Sequence, residues 1–247
     1  MENKHKEILI VDKEGLFPKK IYYTSDRFNF EYITKVSSQN IFGEHAAFTL
    51  IVKLGLSRFF ATLFSAYHAN NEYFLIEEYV KNDIHTFYNK NVRKKDMHVF
   101  WYRVFRQLAW VICILEENKI QHNDFHLGNL HVEGTPTEPI IKIIDLETMV
   151  DYRTKKVYPL EVINADNDDK IRMGWNKEFH IGSDLNQMFG ELMNFYEDDM
   201  PKEMVEKIKP LIIEKDKEFP YALHLENKHT TGKEMSRLIK SLKKHII

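Results

Sequence analysis

His122-Asn123-Asp124-Phe125-His126-Leu127-Gly128-Asn129 is a polar turn between two apolar runs, and Asp145 follows it sixteen residues after Asn129. The run leading to that aspartate, Ile140-Ile141-Lys142-Ile143-Ile144, is rich in β-branched residues and reads as a strand. Asp124 and Asn129 stand five apart within the turn. Immediately upstream, Met97 to Lys119 reads as the strongest helix in the chain. Phe100, Val104, Leu108, Val111, Ile112 and Leu115 follow a continuous helical face. Only Ile120-Gln121 separates this helix from His122. A capped turn beside a buried strand would explain each residue singly. The strand-borne aspartate at this distance from Asp124 and Asn129 makes coincidence a poor account of the set.

Asp124, Asn129 and Asp145 together resemble the catalytic loop and metal-binding aspartate of the protein-kinase-like superfamily. Phosphoryl transfer from a nucleotide needs a carboxylate to orient the attacking hydroxyl and oxygen ligands for magnesium. The resemblance therefore implies Asp124 as the group that orients or deprotonates the acceptor, Asn129 and Asp145 as magnesium ligands, and ATP with Mg2+ as cofactors. The form D-x-H-x-G-N is found in haspin-like kinases and in small-molecule phosphotransferases of the aminoglycoside and choline kinase type. His122 reads as a buried structural histidine, and His126 stands where serine/threonine kinases commonly carry a lysine. Asn123 replaces the arginine that anchors a phosphorylated activation loop. Asp145-Leu146-Glu147 stands in place of Asp-Phe-Gly, with Glu147 read as a salt-bridge former or a spare metal ligand.

Upstream, Ile8 to Val11, Ile21 to Tyr23 and Phe28 to Val36 read as strands. The resemblance makes Lys35 the strand lysine that meets the nucleotide phosphates. Gly15 is the only glycine before Gly43, so nothing matches G-x-G-x-x-G. Asn40 to Gly55 reads as a helix, with Glu44 its only acidic residue and the expected partner of Lys35. Ala61 to Tyr67 and Tyr73 to Val80 read as strands around a turn. In a kinase-like fold the second would run into the hinge. The backbones of Glu78 and Val80 would then read the adenine edge, Asp83 would meet the ribose, and Glu77 would occupy an unusually polar gatekeeper position.

Downstream, Leu130 to Val132 and Ile140 to Ile144 read as a hairpin around Glu133 to Pro139. Residues 148–181 should form the activation segment, where Pro159-Leu160-Glu161 is the nearest match to Ala-Pro-Glu and Asn164 to Asp169 reads as a solvated loop. A constitutively ordered segment is expected there. Ser183-Asp184 opens a helix to about Tyr196, and the resemblance gives Asp184 the task of tying the catalytic loop backbone. Glu203 to Lys215 and Thr231 to His245 read as further amphipathic helices, the last ending in the basic residues Lys240, Lys243 and Lys244.

The whole chain sets bounds on these readings. Its 247 residues are 43% hydrophobic and 29% charged, with a formal net charge of −2, which provides no global attraction to nucleic acid or an anionic membrane. The single cysteine, Cys113, excludes an intramolecular disulfide. No signal peptide or membrane-spanning apolar run is visible, so a cytoplasmic, intracellular protein is expected. The readings converge on an α+β, bilobal protein-kinase-like fold as one domain over 1–247, with a small β-rich N-lobe over 1–80 and a mainly helical C-lobe over 81–247. The resemblance is to compact, divergent serine/threonine kinases, including those of large DNA viruses. It implies ATP- and magnesium-dependent transfer to a protein serine or threonine, with a protein substrate as partner. The alternatives are a small-molecule phosphotransferase and a nucleotide-binding pseudokinase.

Overall fold

The computed structural model describes residues 6–13, 19–154, 156–157, 179–212 and 230–246. An antiparallel five-stranded sheet leads. It comprises β1 (Lys6–Lys13), β2 (Lys19–Ser25), β3 (Glu31–Ser37), β4 (Leu63–Ala69) and β5 (Glu72–Glu78), in the spatial order β1-β2-β3-β5-β4. The β4–β5 connection is two residues long, Asn70 and Asn71, both with positive φ. This is the twist-matched hairpin geometry that asparagine tolerates. The β2–β3 connection departs from the sequence expectation. Phe28 and Phe30 lie outside β3, because Asp26 Oδ1 accepts hydrogen bonds from both their amides and Asn29 turns left-handed. An Asx-type turn has overridden the β propensity of the two aromatics.

Helix α1 (Phe42–Lys53) packs on this sheet through Glu44, Ala47 and Ile51, one buried stripe at i, i+3 and i+7. The acidic residue thus shares the stripe with two apolar ones. Beyond the sheet come α2 (Ile84–Asn91) and α3 (Met97–Glu117), then β6 (Ile120–Gln121) and the hairpin β7 (Leu130–Thr135) with β8 (Glu138–Ile143). Helix α2 was not anticipated. Its signal was local: Asp83 caps it by accepting from the Thr86 amide at 2.7 Å and the Thr86 hydroxyl at 2.9 Å. Short strand β9 (Val150–Asp151) pairs with β6 on one side and with β10 (Lys156–Val157) on the other, in a small three-stranded sheet. Helices α4 (Ser183–Tyr196), α5 (Lys202–Ile208) and α6 (Gly232–Ile246) complete the described chain.

The expected face of α3 is buried, and Trp101, Tyr102 and Phe105 extend it into the core. Trp110, on the opposite side, is 38% exposed and rests edge-on against Phe59. Met235, Ile239 and Leu242 of α6 join the same core at i, i+4 and i+7. The architecture is mixed, with an antiparallel β region followed by a helical one, as the α+β expectation had it. Among the described residues no helix is long and apolar enough to cross a membrane. Gly15, Pro159-Leu160-Glu161, Asn164 to Asp169 and most of the expected activation segment lie outside the described residues.

Candidate phosphotransfer site

Lys35 lies in β3 opposite Leu75 of β5, on the buried face of the sheet. Its ammonium is 2.6 Å from Glu44 Oε2, 3.2 Å from Glu77 Oε1 and 3.4 Å from Asp145 Oδ1. Burial disfavours the charged lysine, but these carboxylates outweigh that cost and hold its pKa well above the usual value. Strand pairing explains the convergence. Lys35 and Glu77 stand on adjacent β3 and β5 positions of one face, and α1 lays Glu44 over them. Glu77 lines a small cleft with Glu44 and Asp145, so three carboxylates enter a lining otherwise made of apolar residues such as Phe48, Leu63 and Leu146.

Asp145 follows β8 in a left-handed conformation, φ 60°. That region is uncommon for a residue with a Cβ, and its occupation is an added backbone cost held by the surroundings. Burial would raise the Asp145 carboxyl, yet Lys35 and Lys19 together hold it well below its ordinary pKa. Oδ1 receives both lysines, while Oδ2 takes no hydrogen bond among the described residues. Asn129 is oriented in a complementary way. Its amide nitrogen donates to the Asp124 carbonyl at 2.9 Å and lies 3.4 Å from Asp124 Oδ2. Among the described residues its Oδ1 takes no hydrogen bond. The Ile144 amide donates to the Asn129 carbonyl at 3.1 Å, which brings Asn129 beside the strand that carries Asp145. Two unengaged side-chain oxygens, one anionic and one amide, fit the hard donor set that magnesium takes.

Asp124 keeps 35% of its side chain exposed. His126 Nε2 is 3.5 Å from Asp124 Oδ2, while its Nδ1 accepts from the Gly128 amide at 3.0 Å. The neutral histidine therefore carries its proton on Nε2, facing Asp124. Burial opposes ionisation of Asp124, but His126 holds its carboxyl below the usual range. His122 is fully buried, stacked on Phe125, with Nε2 3.2 Å from the Ile144 carbonyl.

The loop itself is fastened to α4. Asp184 accepts the amides of His122 at 2.7 Å and Asn123 at 3.1 Å. Gln187 accepts the Phe125 amide at 3.2 Å, and Glu191 accepts the Leu127 amide at 2.8 Å. Positions 184, 187 and 191 form one polar stripe at i, i+3 and i+7, of which the sequence reading singled out only Asp184. From the other side, Asn123 Nδ2 donates to the Thr148 carbonyl and the Thr148 hydroxyl donates to the His122 carbonyl. Asn123 accommodates a φ of 65°, which asparagine does at low cost.

The expected hinge is less open. The Glu78 amide donates to the Thr62 carbonyl at 2.8 Å, and its carboxylate accepts from the Thr62 amide and Lys142. The Val80 carbonyl accepts from His131 Nδ1 at 2.7 Å. Among the described residues the Val80 amide takes no hydrogen-bond acceptor. Asp83 is occupied as the cap of α2. The structure thus gathers Lys35, Glu44 and Asp145 by direct contact and joins Asp124 to Asn129, while Glu78, Val80 and Asp83 make their own local contacts. Lys19, Gln187, Glu191 and His131 escaped the sequence reading. The helical spacing of the polar residues on α4 was the one usable signal among them.

No family model matches the chain, and no curated protein matches it. Among solved structures, a similar chain occurs in the crystal structure of the yeast RNA Pol II CTD kinase CTDK-1 complex, with a TM-score of 0.42 and 17% identity. The match covers 60% of this chain and 46% of that one, so it spans less than half of the solved chain's length.

Proposed function

We propose that the protein transfers the γ-phosphoryl group of ATP to a serine or threonine hydroxyl of a protein substrate in a magnesium-dependent reaction. The observation that carries this reading is the convergence of Lys35, Glu44 and Asp145 on one side with the Asp124–Asn129 pair on the other. When bound, magnesium-ATP supplies the phosphoryl donor and the leaving nucleoside diphosphate. Asp145 Oδ2 and Asn129 Oδ1 are the residues that would hold the metal. Lys35, fixed by Glu44, would hold the phosphates. Asp124 orients the acceptor hydroxyl and takes its proton as the oxygen bonds to phosphorus. The exposure of Asp124 supports access by a bulky acceptor. The anchoring of the loop to Asp184, which the sequence associated with protein kinases, supports the same reading.

A small-molecule acceptor of the aminoglycoside or choline type is the second reading, favoured by the contact of His126 with Asp124 in a D-x-H loop. Radiolabel transfer from ATP, tried on generic protein substrates and separately on aminoglycosides and choline, distinguishes the two. Label on protein alone is expected, whereas label on a small molecule alone selects the second reading. Thermal stabilisation by ATP should also require a divalent ion and lose that requirement in Asp145→Ala. Equal stabilisation of the wild type by ATP in chelator and in magnesium would remove the metal site. ATP binding with no transfer to any acceptor would leave a non-catalytic nucleotide-binding scaffold.

A further inference from the structure

Lys19, the first residue of β2, is only 5% exposed, and the scheme above gives it no task. Its ammonium lies 3.2 Å from Asp145 Oδ1 and 2.5 Å from Glu147 Oε2. Lys35 reaches the same Asp145 oxygen at 3.4 Å, so two buried ammonium groups share one carboxylate oxygen. Burying an ammonium is costly unless charge and hydrogen bonds compensate it. The two lysines differ in that compensation. Beyond Asp145, Lys35 has both Glu44 and Glu77, whereas Lys19 has Glu147 alone among the described residues. A cation held by Asp145 draws on the carboxylate that both lysines share. Lys35 then keeps two anionic partners and Lys19 keeps one. Lys19 is the ammonium left short of negative charge, which the anionic oxygens of a polyphosphate would restore. The sequence before it, with Gly15 as its only glycine, offers no glycine-rich cradle of backbone amides.

We propose that Lys19 is a second phosphate-binding ammonium, which seats the polyphosphate of a nucleoside triphosphate together with Lys35 and supplies charge where a glycine-rich loop would supply amides. The inference rests on the nucleotide-dependent reading given above. The competing account is that Lys19 only neutralises Glu147 inside the fold.

Calorimetric binding of ATP, ADP, AMP and adenosine to the full chain in magnesium separates the two. Lys19→Met alone leaves Glu147 facing a lost partner, so the double variant Lys19→Met/Glu147→Gln accompanies it, each with a thermal melt. The folded double variant should lose about tenfold or more in ATP affinity while adenosine affinity stays within about twofold. Glu147→Gln alone retains Lys19 and should bind ATP at least as well as the wild type. Lys20→Met, at the exposed neighbouring position, should match the wild type throughout. A double variant that keeps the wild-type ratio of ATP to adenosine affinity overturns the proposal, as does an equal loss in Glu147→Gln alone. A wild type that binds neither ATP nor adenosine refutes the nucleotide reading itself and takes this inference with it.

Discussion

Asp124 combines partial exposure with a carboxyl held ionised by His126, the condition a hydroxyl-orienting base requires. Its contribution belongs to the transition state, so removing the charge should spare the ground-state nucleotide complex. Asp124→Asn is expected to keep near wild-type ATP affinity and melting temperature while phosphoryl transfer falls by about a hundredfold or more. Transfer at the wild-type rate would show that Asp124 is not the reacting carboxylate. Glu116 poses a different residue-scale question. On the last turn of α3 it accepts the amides of Gly182 at 2.8 Å and Gly232 at 2.6 Å, yet burial still pushes its carboxyl up to about 7. Between its ordinary value of 4.5 and about 7, the native state binds more protons than the unfolded one at this group. Its contribution to stability therefore declines as pH rises through that window. Melting temperatures measured across that range should carry this downward component in the wild type and lack it in Glu116→Gln. Parallel pH dependence in the two proteins would contradict the assignment.

At the scale of elements, the contact between α3 and the start of α6 is set by one glycine. A Cβ at Gly232 would lie 2.6 Å from the Cys113 amide nitrogen and 2.8 Å from its Cα. Both are backbone atoms, so no side-chain rotation relieves the overlap, and α6 must shift away from α3. Gly232→Ala should cost about 1–3 kcal/mol, despite alanine's better helix propensity. Chemical denaturation measures this directly, and a stabilised variant would mean that the helices are not in such close approach. The Glu116 carboxylate reinforces the junction, since it joins the beginnings of α4 and α6 to the end of α3. Helix α4 in turn presents Asp184, Gln187 and Glu191 to the loop while Leu185, Met188, Phe189 and Leu192 fill the core. One helix thus contributes both to the core and to the hydrogen-bonded support of Asp124.

Across the whole molecule, local periodicity was readable in the sequence and partnerships at a distance largely were not. The apolar face of α3 and the β-branched run before Asp145 announced themselves, because their signals lie within a few turns or strand positions. Lys35 with Glu44 was also legible, since nine residues and a strand-to-helix step separate them. Lys19 was not: its anionic partners lie 126 and 128 residues away, and nothing in Lys19-Lys20 indicates which ammonium will be buried. Phe28 and Phe30 misled in the opposite direction, because a single Asp26 carboxylate decided their conformation. The polar stripe of α4 has a further consequence, visible in exchange with deuterated solvent. The amides of His122, Asn123, Phe125 and Leu127 are capped by side chains of one helix, so their shielding is borrowed from that helix. They should exchange at the rate at which α4 opens, as part of one cooperative unit. Gln187→Ala should then release the Phe125 amide while the His122 and Asn123 amides remain slow. Rapid exchange of all four while α4 stays protected would mean that the segment around Asp124 opens independently of the helix behind it.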